Sequence, residues 1–176
     1  PCNLMDMAHQ VAAVRPGVGV NAGVNRYIHR RNGVETVEFD HELERRALER
    51  TLGIILFQDQ VNQVATDVGG LSTLEADQMR RAFSKGNRTL LGNYWDKFRD
   101  GALAQNVSLT TAKRIFKKFN GHYMFPESHA YAFGITAYQM AWLKYHYPLE
   151  FFVGLFNEQP MGFYNLETLK EDAKRH

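Results

Sequence analysis

Apolar residues recur three and four places apart along almost the whole chain, which commits it to helices packed on one another rather than to a sheet. The longest such run, Ser128 to Tyr147, stays helix-compatible until Pro148 removes a backbone donor. Upstream, Asp40 is expected to N-cap a helix carrying Leu43, Ala47 and Leu48, closed by Gly53. A helix with Val61, Val64, Ala65 and Val68 on one face follows Ile54–Phe57 and ends at Gly69-Gly70. Ser72 and Glu75 have the spacing of a capping box, opening a helix that buries Ala76, Met79 and Phe83 and stops near Gly86. Two further stripes follow: Leu91, Tyr94, Trp95, Phe98 and Ala102, then Ala112, Ile115, Phe116 and Phe119, the second stopped by Gly121. A short apolar helix is expected over Leu149–Phe156, and Asn165 is placed to cap a last one through Leu166, Leu169 and Ala173. Strand-like alternation is confined to Thr36–Phe39 and Ile54–Phe57. The expected fold is mainly α.

One stretch breaks the pattern. Arg15–Gly33 holds Arg15-Pro16-Gly17, Gly19 and Gly23, with little helical spacing before Asn25–Arg31, and reads as a turn-rich loop that lets backbone approach a ligand closely. It lacks the glycine and lysine spacing of a phosphate-binding P-loop. With 176 residues the chain can form one domain, or one domain and a short extension. It begins at Pro1 without an initiator Met and ends at His176 inside a helical-looking run, so both ends are expected to be cuts in a longer polypeptide. No apolar run approaches a membrane span, no secretion signal is visible, and Cys2 is the single cysteine, so a cytoplasmic location is expected.

Net charge is only +2, but its distribution is uneven. From Gln78 to Lys118 there are ten Lys/Arg against Asp96 and Asp100, a block of +8 in a chain whose remainder carries −6. Such an island fits a surface that meets phosphates, and equally a solvated helical face. Within it, Arg81 and Lys85 stand four apart and form one cationic row, with Arg80 beside the buried face of Met79 and Phe83. Guanidinium groups suit a triphosphate because they stay charged and bind phosphate oxygens in pairs. A surface arginine pair is the plain alternative. Ser128 is a reasonable N-cap for the long helix, and His129 in its first turn could donate to a phosphate or serve only structure. Gln58 and Gln60, flanking Asp59, could touch a nucleic-acid backbone or merely begin a helix. The aromatics from Tyr131 to Tyr147 could stack on bases or simply pack. No metal-ligand spacing, trusted carboxylate pair or nucleophile–base set is visible. A helical DNA- or RNA-binding module and a protein-interaction segment both remain open on these residues alone.

Taken in order, the segments resemble the fingers region of the bacterial DNA polymerase III alpha subunit, the C-family polymerases. Arg15-Pro16-Gly17 resembles that family's R-P-G-P turn, and Tyr27–Gly33 the helix after it. Leu52–Val61 resembles its G-(I/V)-x-(L/V)-(F/Y)-Q-E-Q-V signature, and Glu75–Ala82 its E-A-D-x-L-R-R-A. Phe125–Ala130 resembles F-x-x-S-H-A, and Tyr138 with Trp142–Pro148 resembles Y…W-L-K-x-H-x-P. Pro126-Glu127 before Ser128, and Gln159–Tyr164 reading Q-P-M-G-F-Y, resemble the error-prone, DNA-damage-associated branch. The chain departs from the pattern at Val18, Asp59, Asn62, Phe83–Gly86 and Met124.

The resemblance implies a fingers fragment that positions the incoming dNTP and template-primer DNA for two-metal nucleotidyl transfer in replication, repair or translesion synthesis. Arg80, Arg81 and Lys85 would bind nucleotide; Arg15, Gly17, Gln58, Gln60, Ser128 and His129 would meet DNA. The catalytic aspartates and the Mg²⁺ they hold would belong to a palm absent from this chain, so the fragment alone is expected to be inactive. Sliding clamp and mutagenesis accessory proteins would bind through other regions, and no membrane contact is implied. Residues 1–35 would be a loop-rich segment leading from the palm, 36–156 the helical fingers core, and 157–176 the truncated start of the next region.

Overall fold

The computed structural model describes residues 3–13, 22–85, 88–119 and 125–176. Among them the chain forms α1 (Leu4–Ala13), α2 (Ala22–Arg31), α3 (Glu42–Leu48) with a 3-10 turn over Glu49–Thr51, α4 (Gln58–Gly69) and α5 (Thr73–Ser84). There follow α6 (Arg88–Ala104), α7 (Leu109–Lys118), α8 (Glu127–His146), α9 (Pro148–Asn157) and α10 (Leu166–Ala173). The fold is mainly α, as its periodicity requires. Neither extended candidate becomes a strand: among the described residues, pairing of that kind shrinks to a single parallel bridge between Phe57 and Phe125. The Gly/Pro turn with Arg15 and Gly17 lies outside the described residues, as do the expected stops at Gly86 and Gly121. The segment expected to be loop-rich, residues 1–35, carries α1 and α2 among its described residues. α1 was not anticipated; it forms because Ala8 and Ala12 bury one narrow face.

Two apolar cores organise the helices. The larger joins α3 to α7 through Leu48, Val64, Val68, Met79, Ile115 and Phe119, among others. At its centre Phe83, Trp95, Phe98, Phe116 and Phe119 meet at ring-centroid distances of 5.1–5.9 Å, mostly edge-on or tilted, the geometry aromatic quadrupoles favour. Helices α4 and α6 approach closely because Gly101 has no side chain; a methyl there would lie 1.8 Å from the Gly69 carbonyl oxygen. The smaller core gathers α1, α2, the Ile54–Phe57 stretch and the start of α8 around Ala8, Tyr27, Phe57, Phe125 and Ala130.

Helix ends follow local chemistry, with two corrections. Asp40 does not cap α3. Its carboxylate is drawn instead to Arg114 at 2.9 Å and Lys118 at 2.8 Å, and the His41 ring accepts the free Leu43 N–H at 3.2 Å. Nor is Ser128 the cap of α8, because Pro126 occupies that position and places Ser128 inside the first turn. The orphan Glu127 N–H is satisfied from another helix, by Asp59 Oδ2 at 2.9 Å. The Ser72–Glu75 capping box and the Asn165 cap form as expected. Pro148 takes the first position of α9, where its missing donor costs nothing.

Helix α8 has one buried side only near its start, where Ala130 and Gly134 face α1. From Phe133 to Tyr145 it exposes large apolar side chains around its whole circumference, and the Met161–Leu166 loop adds more. No helix among the described residues is long and apolar enough to cross a membrane.

Candidate functional site

The candidate site is built on α5. Asp77, Arg80 and Arg81 are three and four apart, so their side chains emerge on one side of the helix. Arg80 Nη2 donates to Asp77 Oδ1 at 2.6 Å, and Arg81 Nε donates to Asp77 Oδ2 at 2.7 Å. One carboxylate therefore holds two guanidinium groups, one per oxygen. The paired Arg80 first, and then Arg81, hold the Asp77 carboxyl below its ordinary range. The two arginines are not equivalent: the Arg80 side chain is 22% exposed and that of Arg81 is 68% exposed. Lys85, one turn beyond Arg81, is exposed.

A continuous set of bonds links this helix to the other two segments singled out by sequence. Arg80 Nη1 donates to Gln58 Oε1 at 3.2 Å, and the Gln58 N–H donates to the Phe125 carbonyl at 3.1 Å. Beyond Phe125, Glu127 receives both Arg50 Nε and Nη2 at 2.7 Å, a bidentate pair joining the 3-10 turn to α8. The starts of α4 and α8 thus lie side by side next to Arg80. Ser128 and His129 are exposed at the α8 start, and the His129 ring packs against Phe125 and Phe133 with centroids 5.0 and 4.5 Å away.

Gln60 is not part of any such surface. It is completely buried, and its amide is consumed internally: Oε1 accepts from Leu56 and Phe57 N–H at 2.9 and 3.0 Å. Its Nε2 donates to the Ala47 carbonyl at 3.0 Å and to Thr51 Oγ1 at 2.7 Å. Gln60 therefore belongs to the interior, and its expected DNA contact is withdrawn. Gln58 is partly buried with its side-chain oxygen committed to Arg80. Arg15 and Gly17 fall outside the described residues.

The basic block is less open than its charge count implies. Lys97 pairs with Glu75 at 2.7 Å, Arg114 and Lys118 with Asp40, and Lys118 also with the buried Glu44. Apart from Asp96 and Asp100, which pair with Arg99, the acids that neutralise it lie outside the 78–118 window, in Asp40, Glu44, Glu75 and Asp77. Lys97 is the main cause that holds the Glu75 carboxyl down at about 2, with Ser72 helping. Sequence reading missed the roles of Asp77, Asp59 and Arg50. Asp77 carries a signal in its spacing to the arginine pair; Arg50 and Glu127, 77 residues apart, carry none. Among the described residues no three His, Cys, Asp or Glu side chains converge to hold a metal, so these residues do not fit the Mg²⁺ that a polymerase would need.

Comparison with known proteins places the chain in a family. The model of the family described as "Bacterial DNA polymerase III alpha subunit finger domain" matches residues 1–106. The chain is 42% identical over 179 residues to an error-prone DNA polymerase of Vibrio parahaemolyticus, covering all of this chain and 18% of that protein. It is 44% identical over 180 residues to an error-prone DNA polymerase of Corynebacterium jeikeium, covering all of this chain and 16% of that protein. It is 40% identical over 178 residues to an error-prone DNA polymerase of Corynebacterium diphtheriae, covering 99% and 17% respectively. The chain thus spans less than a fifth of the length of these relatives. With its helical frame and its arginine-bearing α5, the chain belongs to the bacterial DNA polymerase III alpha subunit finger-domain family.

Proposed function

We propose that this chain is the fingers portion of an error-prone DNA polymerase, positioning an incoming dNTP and the template-primer for nucleotidyl transfer. The observation that carries the reading is the Asp77–Arg80–Arg81 cluster, tied through Gln58 to the start of α8. The two guanidinium groups and Lys85 supply the positive charge that the triphosphate meets. The exposed Ser128 and His129 face the nascent base pair or the primer-template backbone, joined by the Arg15–Gly17 turn. Tight, always-charged donors suit a tetra-anionic ligand, and helix starts favour negative charge through their free N–H groups. Fingers of this kind need no metal ligands of their own. Divalent ions and the chemistry they supply belong to residues outside those described.

The same reading includes synthesis past damaged DNA, a cytoplasmic location, and clamp and accessory contacts through other parts of a longer polypeptide. It also predicts that the purified chain extends no primer, even with Mg²⁺ and all four dNTPs. The direct test is fluorescence anisotropy of a labelled primer-template with the native chain and Arg80→Ala/Arg81→Ala, with and without dNTP, across a salt titration. Each lost phosphate contact lowers the salt slope by roughly 1. The reading expects dNTP to tighten DNA binding only when both arginines are present. Equal binding by both proteins, indifferent to dNTP, sinks it.

A further inference from the structure

The two arginines on α5 occupy different chemical situations, and one carboxylate creates the difference. Both terminal nitrogens of Arg80 are already engaged within the protein. Its Nη2 goes to Asp77, its Nη1 to Gln58, and its Nε is buried without a partner. Pulling that guanidinium outward would break its bonds to Asp77 and Gln58. Arg81 is held at the other end of its group. Only Nε, the nitrogen nearest the stem, is bonded to Asp77, and the two terminal nitrogens have no partner among the described residues. Those terminal nitrogens are the pair that forks onto two phosphate oxygens.

We propose that Asp77 is a positioning residue that sorts the pair: it fixes Arg80 as a strut and grips Arg81 by the neck, so that Arg81 alone presents its fork to phosphate. This rests on the nucleotide reading above and narrows it to one contact residue. A carboxylate beside a polyphosphate site ordinarily weakens binding, because like charges repel. Here its loss has the opposite sign. Without Asp77 the Arg81 stem regains its rotamers, and ordering it again on the ligand costs affinity. Asp77 sits on the same helix as both partners, so its carboxylate is placed by the backbone rather than by a loop.

The test uses the whole 176-residue chain, with dATP and, separately, inorganic tripolyphosphate as ligands, in EDTA so that no cation bridges them. Binding is measured by calorimetry for the native chain, Asp77→Asn, Arg81→Ala, Arg80→Lys and the Asp77→Asn/Arg81→Ala double variant. Thermal melts check folding, and nitrogen-detected NMR follows the Arg81 Nε–H. Arg81→Ala is expected to lower affinity for both ligands at least tenfold. Asp77→Asn is expected to lower it about fivefold, the upper end of what an exposed ion pair contributes. That second effect vanishes in the Arg81→Ala background, and the Arg81 Nε–H signal moves or broadens in Asp77→Asn. Arg80→Lys lowers the melting temperature more than it lowers affinity. Tighter binding by Asp77→Asn, or an equal loss in the Arg81→Ala background, overturns the proposal while leaving the nucleotide site intact. If native binding is absent, or ignores both arginines, the nucleotide reading fails and the proposal falls with it.

Discussion

At the scale of single residues, Gln60 shows how far a polar side chain can be diverted from the surface. All four hydrogen-bonding positions of its amide are used inside the protein, on Leu56, Phe57, Ala47 and Thr51. Gln60→Ala leaves the buried Leu56 and Phe57 N–H groups without their partner and is expected to cost about 3 kcal/mol in denaturant unfolding, whereas a surface glutamine would cost under about 0.5 kcal/mol. A loss no larger than the surface value would mean that this knot is not formed. The sequence presented Gln58 and Gln60 as one polar pair around Asp59. What separates them is helical phase. Gln60 is the third residue of α4 and turns back toward the Phe57 N–H, while Gln58 turns toward α5. Phase at a helix start depends on where the first turn begins, to within one residue, and periodicity alone does not resolve that.

At the scale of elements, the stops at Gly69-Gly70 and Pro148 and the Ser72 and Asn165 caps were legible because they depend on residues close together in sequence. The caps of α3 and α8 were not. Asp40 is claimed by α7, and the α8 N-terminus is served by Asp59, contacts 68 or more residues distant that no local pattern encodes. The α5 capping box also extends beyond its own helix, since Glu75 reaches Lys97 on α6. Its folded-state carboxyl is depressed to about 2, chiefly by Lys97. A depressed carboxyl contributes stability above its unfolded value near 4.5, and that contribution is lost as pH falls toward about 2. Glu75→Gln is therefore expected to be less stable than the native chain at neutral pH and to show a flatter decline between pH 4.5 and 2. Thermal melts across that range check it; parallel acid limbs would show that the Lys97 pair is not maintained in solution.

At the scale of the whole molecule, two apolar cores are held together by a few polar ties, of which the Arg50–Glu127 fork is the best formed. Both partners are partly exposed, so the pair governs coupling between the cores more than total stability. Glu127→Gln is expected to speed amide hydrogen exchange along α8 and α1 while leaving α4–α7 unchanged. Uniform acceleration through both cores would mean that they open as one unit. The sequence announced the helices of the larger core and α8, but neither α1 nor the division into two cores, because the residues that join them lie far apart in the chain.

Helix α8 carries apolar side chains on every side beyond Gly134. With polar side chains (Gln139, Lys144, His146) scattered among the apolar ones, the helix has no single apolar stripe to fix its rotation. During synthesis the α3–α7 core can condense on its own contacts before α8 emerges, and the exposed apolar side chains of α8 are then the part of the new chain most open to holding chaperones.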